Sequence, residues 1–299
     1  RSVKITELIQ SSNASLSFEV FPPKNNDSYE TICAAAGEIA RLAPSFMSIT
    51  YGAGGGTSDY TVSIAAKIQE QHHITALAHL SCINASRAGV IHQLELMKRA
   101  GIENVLALRG DAADSPRETP QRGYRYASEL IKTIREYGDF CVGGACYPEM
   151  HTESKNQDED IRHLKEKQEA GCAFLTTQMF FDNHVYYNFL CKLRAAGVHI
   201  PVIPGIMPVI NAAQIRRITA LSGTTLPQRF RYIVDRFGED AAAMKQAGIA
   251  YATEQIVDLL ANGVTAVHVY SMNNASVAAK LCENLSEILR CRRGGAHEN

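Results

Sequence analysis

The chain has 299 residues, of which 45% are hydrophobic and 20% are charged, a composition typical of a globular protein with a sizeable core. Its formal net charge of −1 gives no indication of the basic composition typical of a nucleic-acid-binding protein. No stretch reaches the roughly 18 apolar residues of a membrane span, and the N-terminus shows no apolar core of a signal peptide. We therefore expect a cytoplasmic protein that binds neither membranes nor nucleic acid.

Short apolar runs typical of buried strands alternate with helical patterns along the whole chain. The predicted strands cover 16–21, 46–50, 74–80, 104–108, 140–145, 173–178, 201–205 and 264–270. A helix is predicted after each strand, and extra helices over 212–221 and 228–262 come before the last strand. The C-terminal residues from about 290 to 299 are basic and glycine-containing, and we expect a flexible tail there.

The first seven predicted strands begin roughly 30 residues apart, which is the length of one βαβ unit. Eight such units close into a barrel, so we predict a single (β/α)8 domain, a TIM barrel, over residues 1–299. The alternative is a doubly wound open sheet. Against it, Phe21-Pro22-Pro23-Lys24 stands where the first turn of a dinucleotide-binding sheet has G-x-G-x-x-G.

Polar and aromatic side chains stand where the predicted strands end, and ligands of such barrels bind at this end. These residues are Glu19, Thr50, Tyr51, His79, Arg109, Asp111, Tyr147, His151, Gln178 and Tyr270. Arg109-Gly110-Asp111 suits a charged ligand, although the same tripeptide also occurs in ordinary surface turns. Asp160, His163 and Lys167 share one face of a predicted helix, either as a solvated face or as a site for a diphosphate. The eight cysteines form no C-x-x-C pair, and we expect no metal site.

Glu19 is the clearest candidate for a catalytic residue. It alternates with Phe18 and Val20, so its side chain should point to the opposite face of the strand and into the barrel. Apolar neighbours disfavour a charged carboxylate, so we expect a raised pKa suited to a general acid, with a structural ion pair as the alternative. Asp111 should stay ionised beside Arg109, and two carboxylates in different environments suit an acid and an electrostatic stabiliser.

Several segments together resemble the methylenetetrahydrofolate reductase family in its short bacterial form. They are S-F-E-V-F-P-P-K, S-I-T-Y-G-A-G-G, L-A-L-R-G-D, Y-P-E-M-H, T-T-Q-M-F-F-D and P-G-I-M-P, in the order found in the family. The resemblance implies a (β/α)8 barrel that holds FAD, and a ping-pong reaction. NADH or NADPH reduces the flavin and leaves, and 5,10-methylenetetrahydrofolate is then reduced to 5-methyltetrahydrofolate. It also implies a homo-oligomer that serves one-carbon metabolism and methionine synthesis.

The resemblance assigns roles residue by residue. Glu19 matches the general acid whose proton opens the five-membered ring of the folate to an iminium, and Asp111 matches a catalytic carboxylate beside flavin and folate. The substrate-binding positions are Glu19, Thr50, Asp111, Gln178 and Gln214. The flavin-contact positions are Thr50, Tyr51, His79, Arg109, Gly110, Asp111, Tyr126, Ala127, Tyr147, His151, Asp160 and Lys167. The chain departs from the family at Ile218, where some members have an aromatic residue, and at Asn274, where an arginine would meet the glutamate tail of the folate.

Three other functions are compatible with such a barrel: a pterin-dependent methyltransferase, a flavoenzyme resembling proline dehydrogenase, and a non-catalytic scaffold. A methyltransferase would not need the flavin positions Tyr147, His151, Asp160 and Lys167. A scaffold would tolerate Glu19→Gln without any measurable loss. No ribose-reading motif distinguishes NADH from NADPH as the donor.

Overall fold

The computed structural model describes residues 3–10, 13–23, 26–51, 58–83, 85–110 and 123–291. Several features singled out in the sequence lie outside these ranges: Asp111, the glycine-rich segment 52–56 and the basic tail from residue 292 onward.

Parallel strands form the centre of the molecule. In the described part of the chain they are β1 (Ser15–Val20), β2 (Phe46–Ile49), β3 (Thr75–Ser81), β4 (Asn104–Leu108), β5 (Cys141–Cys146), β6 (Phe174–Thr177), β7 (Val202–Ile203), β8 (Gly205–Ile206) and β9 (Ala266–Tyr270). They pair in the order β7-β6-β5-β4-β3-β2-β1-β9-β8, and every pair is parallel. Only Pro204 separates β7 from β8, so the two ends of this order lie side by side and the sheet curls into a barrel.

The predicted (β/α)8 barrel is therefore confirmed, with one difference in the seventh strand. This strand is divided into β7 and β8 because Pro204 has no N–H to donate to a neighbouring strand. Its carbonyl still accepts from the N–H of His268 at 2.9 Å, which holds the divided strand against β9.

Helices surround the barrel. In the described ranges they are α1 (Ile5–Ile9), α2 (Tyr29–Ala40), α3 (Ser58–His72), α4 (Arg87–Arg99), α5 (Ala127–Tyr137), α6 (Gln157–Glu169), α7 (Asn183–Ala195), α8 (Ala212–Ser222), α9 (Gln228–Phe237), α10 (Ala241–Ala261), α11 (Ala275–Asn284) and α12 (Ser286–Arg290). The predicted helical region 228–262 is divided where Asp240 accepts from the N–H groups of Ala242 and Ala243, which begins α10 with a side-chain cap. None of the described helices has the length and apolarity needed to cross a membrane.

The interior of the barrel has an apolar floor beneath a polar level. The floor is a buried cluster of Ile5, Ile9, Phe46, Leu77, Leu106, Cys141, Phe174, Ile203 and Ala266. The short helix α1, which the sequence did not predict, contributes Ile5 and Ile9 to this floor. Side chains two residues apart on a strand share a face, so Ser48, His79 and His268 lie directly above Phe46, Leu77 and Ala266. The floor thus carries a ring of polar groups on its carboxyl-end side.

Candidate active site

A cavity of about 860 Å³ opens at the carboxyl ends of β4 and β5, bordered by α5 and α6; we call it the barrel-mouth cavity. Predicted flavin-contact residues in its lining are Arg109, Gly110, Tyr126, Ala127, Tyr147, His151, Asp160 and Lys167. Cofactor and small-molecule sites typically measure about 300–1,000 Å³. The cavity is therefore large enough for a dinucleotide, and its lining residues come from separate parts of the chain.

Gly110 turns the chain from β4 into the wall of this cavity. Its φ is +90°, a left-handed conformation that glycine adopts readily. A Cβ at this position would lie 2.3 Å from Ser81 Oγ and 2.9 Å from Ile83 Cγ2. Close packing and backbone conformation therefore both require glycine between Arg109 and Asp111.

Side chains of both charges line the cavity. Arg109 Nη2 lies 2.5 Å from Glu153 Oε2, and the hydrogen bond from Arg109 holds the pKa of Glu153 below its ordinary value. Lys167 Nζ donates to the carbonyl oxygen of Ala145 at 2.7 Å, and burial lowers the pKa of this lysine. An ammonium group has three donors, so Lys167 can also bind an anionic ligand.

The outer part of the cavity is built around Asp160, which is buried. Its Oδ1 accepts from Ser154 Oγ at 3.1 Å, and its Oδ2 accepts from the N–H of His151 at 3.4 Å. The ring of His151 meets Tyr147 edge to face at 4.5 Å, and burial lowers the pKa of this imidazole. These contacts fix the loop between β5 and α6 against the helix.

Aromatic side chains form a second wall at the start of α5. Tyr126 stacks on His163 with ring centroids 5.0 Å apart. Tyr126 precedes the first residue of α5 and makes no side-chain capping hydrogen bond, and Ala127 and Ser128 line the cavity. Unsatisfied N–H groups at the start of a helix attract anions. The cavity thus combines cations and a helix N-terminus with flat aromatic surfaces.

Glu19 lies inside the barrel, as predicted, within the polar level. Its Oε2 lies 3.6 Å from His79 Nε2 and 3.9 Å from His268 Nε2, and it accepts a hydrogen bond from Ser48 Oγ at 3.4 Å. The Glu19 side chain is 20% exposed, whereas His79 and His268 are almost completely buried. The carboxyl group therefore sits at the upper surface of a buried polar cluster.

The prediction that the pKa of Glu19 is raised is wrong. Burial does act in that direction, but His268, His79 and Ser48 together lower the pKa more, and it lies below its ordinary value of 4.5. Burial also lowers the pKa of His79 to about 4, although the charge of Glu19 opposes this. Near neutral pH the cluster therefore holds an ionised Glu19 beside a neutral His79.

Sequence reasoning did not identify Ser48 and His268 as members of this cluster. The pattern that could have revealed them is a polar residue at an inward position of an otherwise apolar strand, as in F-M-S-I and A-V-H-V-Y. Glu19 was recognised by the same pattern.

The remaining predicted site residues lie around the barrel mouth. The N–H of Thr50 donates to Val20 at 3.0 Å, and Tyr51 follows it, packed against the main core. Gln178 follows β6, and its Oε1 accepts from the N–H of the next residue at 3.1 Å. Gln214 lies in the first turn of α8. Among the described residues no hydrogen bond joins either glutamine to Glu19.

The two positions that depart from the family have structural roles. Ile218 packs against the hydrophobic cluster formed with α9 and α10. Asn274 caps α11, since its Oδ1 accepts from the N–H of Val277 at 3.2 Å and from Ser276 Oγ at 2.8 Å. Within the described ranges, no group of three or more His, Cys, Asp or Glu side chains is placed to hold a metal ion.

The fold and the site together define a TIM-barrel protein with a charged, aromatic-walled cavity at the end of the barrel where active sites lie. Residues 4–286 match the family model described as Methylenetetrahydrofolate reductase, and the chain belongs to this family of oxidoreductases that act on a folate.

Relatives from bacteria match over most of their length. The chain is 34% identical over 273 residues to 5,10-methylenetetrahydrofolate reductase of Pectobacterium carotovorum, covering 90% of this chain and 89% of that protein. It is 32% identical over 270 residues to the Escherichia coli K12 protein of the same name, covering 90% of each. Methylenetetrahydrofolate reductase (NADH) 1 of Arabidopsis thaliana is 33% identical over 298 residues, but the chain spans only 50% of that longer protein.

A solved structure with the same fold comes from Clostridium thermocellum. It is described as an uncharacterized protein that binds two copies of 5-methyl-5,6,7,8-tetrahydrofolic acid. It aligns with a TM-score of 0.66 over 96% of this chain and 100% of that one. At 14% sequence identity this likeness shows the fold alone.

Proposed function

We propose that the chain reduces 5,10-methylenetetrahydrofolate to 5-methyltetrahydrofolate, using NADH or NADPH as the donor and FAD bound in the barrel-mouth cavity. Family membership supports the folate as substrate. The observation that carries the proposal is the arrangement of the candidate residues. Eight of the twelve positions predicted to contact flavin line one cavity, and Glu19, the predicted general acid, lies in the interior of the same barrel.

The cavity residues fit a flavin dinucleotide. A diphosphate needs cations and N–H donors, which Arg109, Lys167 and the uncapped start of α5 supply. Flat rings need aromatic surfaces, which Tyr126 and Tyr147 supply. We assign Asp160 to the ribose, because a carboxylate accepts hydrogen bonds from hydroxyl groups. When bound, FAD supplies a two-electron carrier that connects oxidation of NADH or NADPH to reduction of the folate.

Glu19 supplies the proton for the folate step. Protonation of the departing ring nitrogen weakens its bond to the methylene carbon, so the five-membered ring opens and that carbon becomes electrophilic. In the free protein Glu19 is ionised near neutral pH, so its carboxyl group must first take up a proton. A folate bound over the cluster excludes water, and desolvation favours the neutral acid. We therefore expect folate binding to be coupled to proton uptake.

The other assignments follow the family resemblance. We assign Thr50, Gln178 and Gln214 to substrate binding, and Asp111 to the space between flavin and folate as an ionised carboxylate. We also assign His79, which lies 3.6 Å from Glu19 Oε2, to flavin contact. We also propose that the chain assembles as a homo-oligomer and that its product feeds methionine synthesis.

An anaerobic visible absorption experiment tests the proposal. The protein is incubated with FAD, freed of excess cofactor, and mixed first with NADH or NADPH and then with 5,10-methylenetetrahydrofolate. We expect the flavin absorption to bleach with the nicotinamide and to return with the folate. A flavin that stays bleached after folate addition would remove the folate from the proposal. A protein that retains no FAD would contradict the proposal as a whole.

A further inference from the structure

The polar level of the barrel contains an imidazole that the proposed function does not use. His268 is 2% exposed, and its ring stacks on Phe46 with an interplanar angle of 10°. Its Nδ1 lies 2.7 Å from Ser17 Oγ, and its Nε2 lies 3.0 Å from Ser48 Oγ. Both nitrogens therefore have hydrogen-bond partners, and the ring cannot rotate without losing both.

One consistent direction can be assigned to the hydrogen bonds around this ring. A carboxylate only accepts, so the single hydroxyl hydrogen of Ser48 points to Glu19 Oε2. With its hydrogen so placed, Ser48 Oγ accepts from His268 Nε2 at 3.0 Å, which places a proton on Nε2. Ser17 Oγ lies 2.7 Å from Nδ1 and 3.3 Å from the carbonyl oxygen of Val267, and we assign its hydroxyl hydrogen to the nearer acceptor, Nδ1. The result is one ordered chain of hydrogen bonds from Ser17 through His268 and Ser48 to Glu19.

We propose that His268 and Ser48 are positioning residues that fix which oxygen of Glu19 acts as the acid. Within the described residues, the polar contacts of this carboxyl group run through Oε2. The buried His79 Nε2, which has no hydrogen-bond partner there, lies on the same side. Oε2 is thus held inside the barrel, and Oε1 carries the proton that the folate receives. The acid role of Glu19 rests on the proposed function, whereas the hydrogen-bond chain does not.

Stability of the fold does not account for this polar level. The same strands place Phe46, Leu77 and Ala266 in the apolar floor one level below, so apolar side chains are compatible with the barrel at this radius. A buried polar network is seldom more stable than a well-packed apolar core of the same shape. Polar residues on three strands around one carboxylate are therefore explained better by a function of Glu19 than by packing.

The protonation state of His268 can be measured without any substrate. In protein labelled with ¹⁵N-histidine, two-bond ¹H–¹⁵N spectra distinguish the tautomers, and His268→Gln identifies the resonance. We expect a neutral ring with its proton on Nε2, and a mixture of tautomers in Ser48→Ala. Ser45→Ala is the matched control, because Ser45 directly precedes β2 but donates to the carbonyl oxygen of Leu16 at 3.0 Å, outside this series of hydrogen bonds. A proton on Nδ1, or an unchanged tautomer in Ser48→Ala, would overturn the proposal.

Half-reaction rates then test the positioning role. We expect Ser48→Ala and His268→Leu to slow the folate step about 10- to 100-fold. This is part of the ~10²- to 10⁴-fold rate enhancement that a positioned general acid contributes. Oxidation of NADH needs no acid from Glu19 and should keep its rate. His268→Gln retains a donor toward Ser48 and should recover most of the folate step. Equal loss in both half-reactions, or no loss in Ser48→Ala, would refute the role. If the unmodified protein turns over no folate, the proposed function fails. The tautomer measurement still tests the series of hydrogen bonds from Ser17 to Glu19.

Discussion

Acidification should destabilise the folded chain through His79, and His79→Gln should remove this part of the pH dependence. The imidazole is 5% exposed, and burial lowers its pKa from 6.5 to about 4. Between these values the unfolded chain binds a proton that the folded chain does not, so stability falls as the pH falls. The pKa difference of about 2.5 corresponds to about 3 kcal/mol, because a tenfold change in proton affinity is worth about 1.4 kcal/mol. About 2 kcal/mol of this contribution to the free energy of unfolding is lost by about pH 5, where Glu19 remains ionised.

Urea unfolding followed by far-ultraviolet circular dichroism measures this effect at about pH 7.5 and about pH 5. The free energy of unfolding of His79→Gln should fall by about 2 kcal/mol less than that of the unmodified protein. His199→Gln is the control, because His199 is exposed and lies far from the cluster in the loop after α7. If His79→Gln loses as much stability as the unmodified chain, His79 is not held neutral by burial and the description of the cluster is wrong.

The remaining predictions concern the barrel-mouth cavity. Gly110→Ala should lower the free energy of unfolding by about 2–4 kcal/mol, because left-handed strain adds to a Cβ contact of 2.3 Å with Ser81 Oγ. Gly101→Ala is the control, because Gly101 has a φ of +67° but no atom lies within 4 Å of the added Cβ. Its free energy of unfolding should therefore fall by only about 1 kcal/mol. Equal losses of stability in the two variants, measured by thermal or urea unfolding, would contradict a clash at Gly110. Lys167→Met should raise the Kd for FAD about 10- to 100-fold, since a charged hydrogen bond is worth about 1.5–3 kcal/mol. Lys165→Met, on the exposed side of the same helix, should leave the Kd unchanged in a flavin fluorescence titration, and equal Kd values for the two variants would contradict this assignment.

The barrel could be predicted because parallel strands buried on both faces appear as short apolar runs at regular spacing. Its irregular parts could not be predicted in the same way. The helix α1 has five residues, too few for a helical period to be visible. The seventh strand is divided at Pro204 because proline has no N–H to donate, and whether this interrupts the strand depends on its neighbours in the sheet. The break before α10 depends on the backbone conformation around Asp240.

The candidate site shows the same limit. The inward direction of Glu19 follows from its alternation with Phe18 and Val20, and the structure confirms it. Its pKa depends on His79 and His268, which belong to other strands far along the chain, so the apolar sequence neighbours gave the wrong direction. The spacing of residues on α6 was compatible with a solvated face or with a ligand-binding face, and only the fold brings that face together with the residues that follow β4.

The folate half-reaction of Glu19→Gln, measured anaerobically by stopped-flow absorption, tests the central claim most directly. The reduced flavin of the unmodified protein and of the variant is mixed with 5,10-methylenetetrahydrofolate. Glu169→Gln, at an exposed position of α6, is the control. We predict that the variant binds FAD and is reduced by NADH normally, while its reoxidation by the folate slows by about 10²–10⁴. Reoxidation of Glu19→Gln at the rate of the unmodified protein would contradict the assignment of Glu19 as the acid.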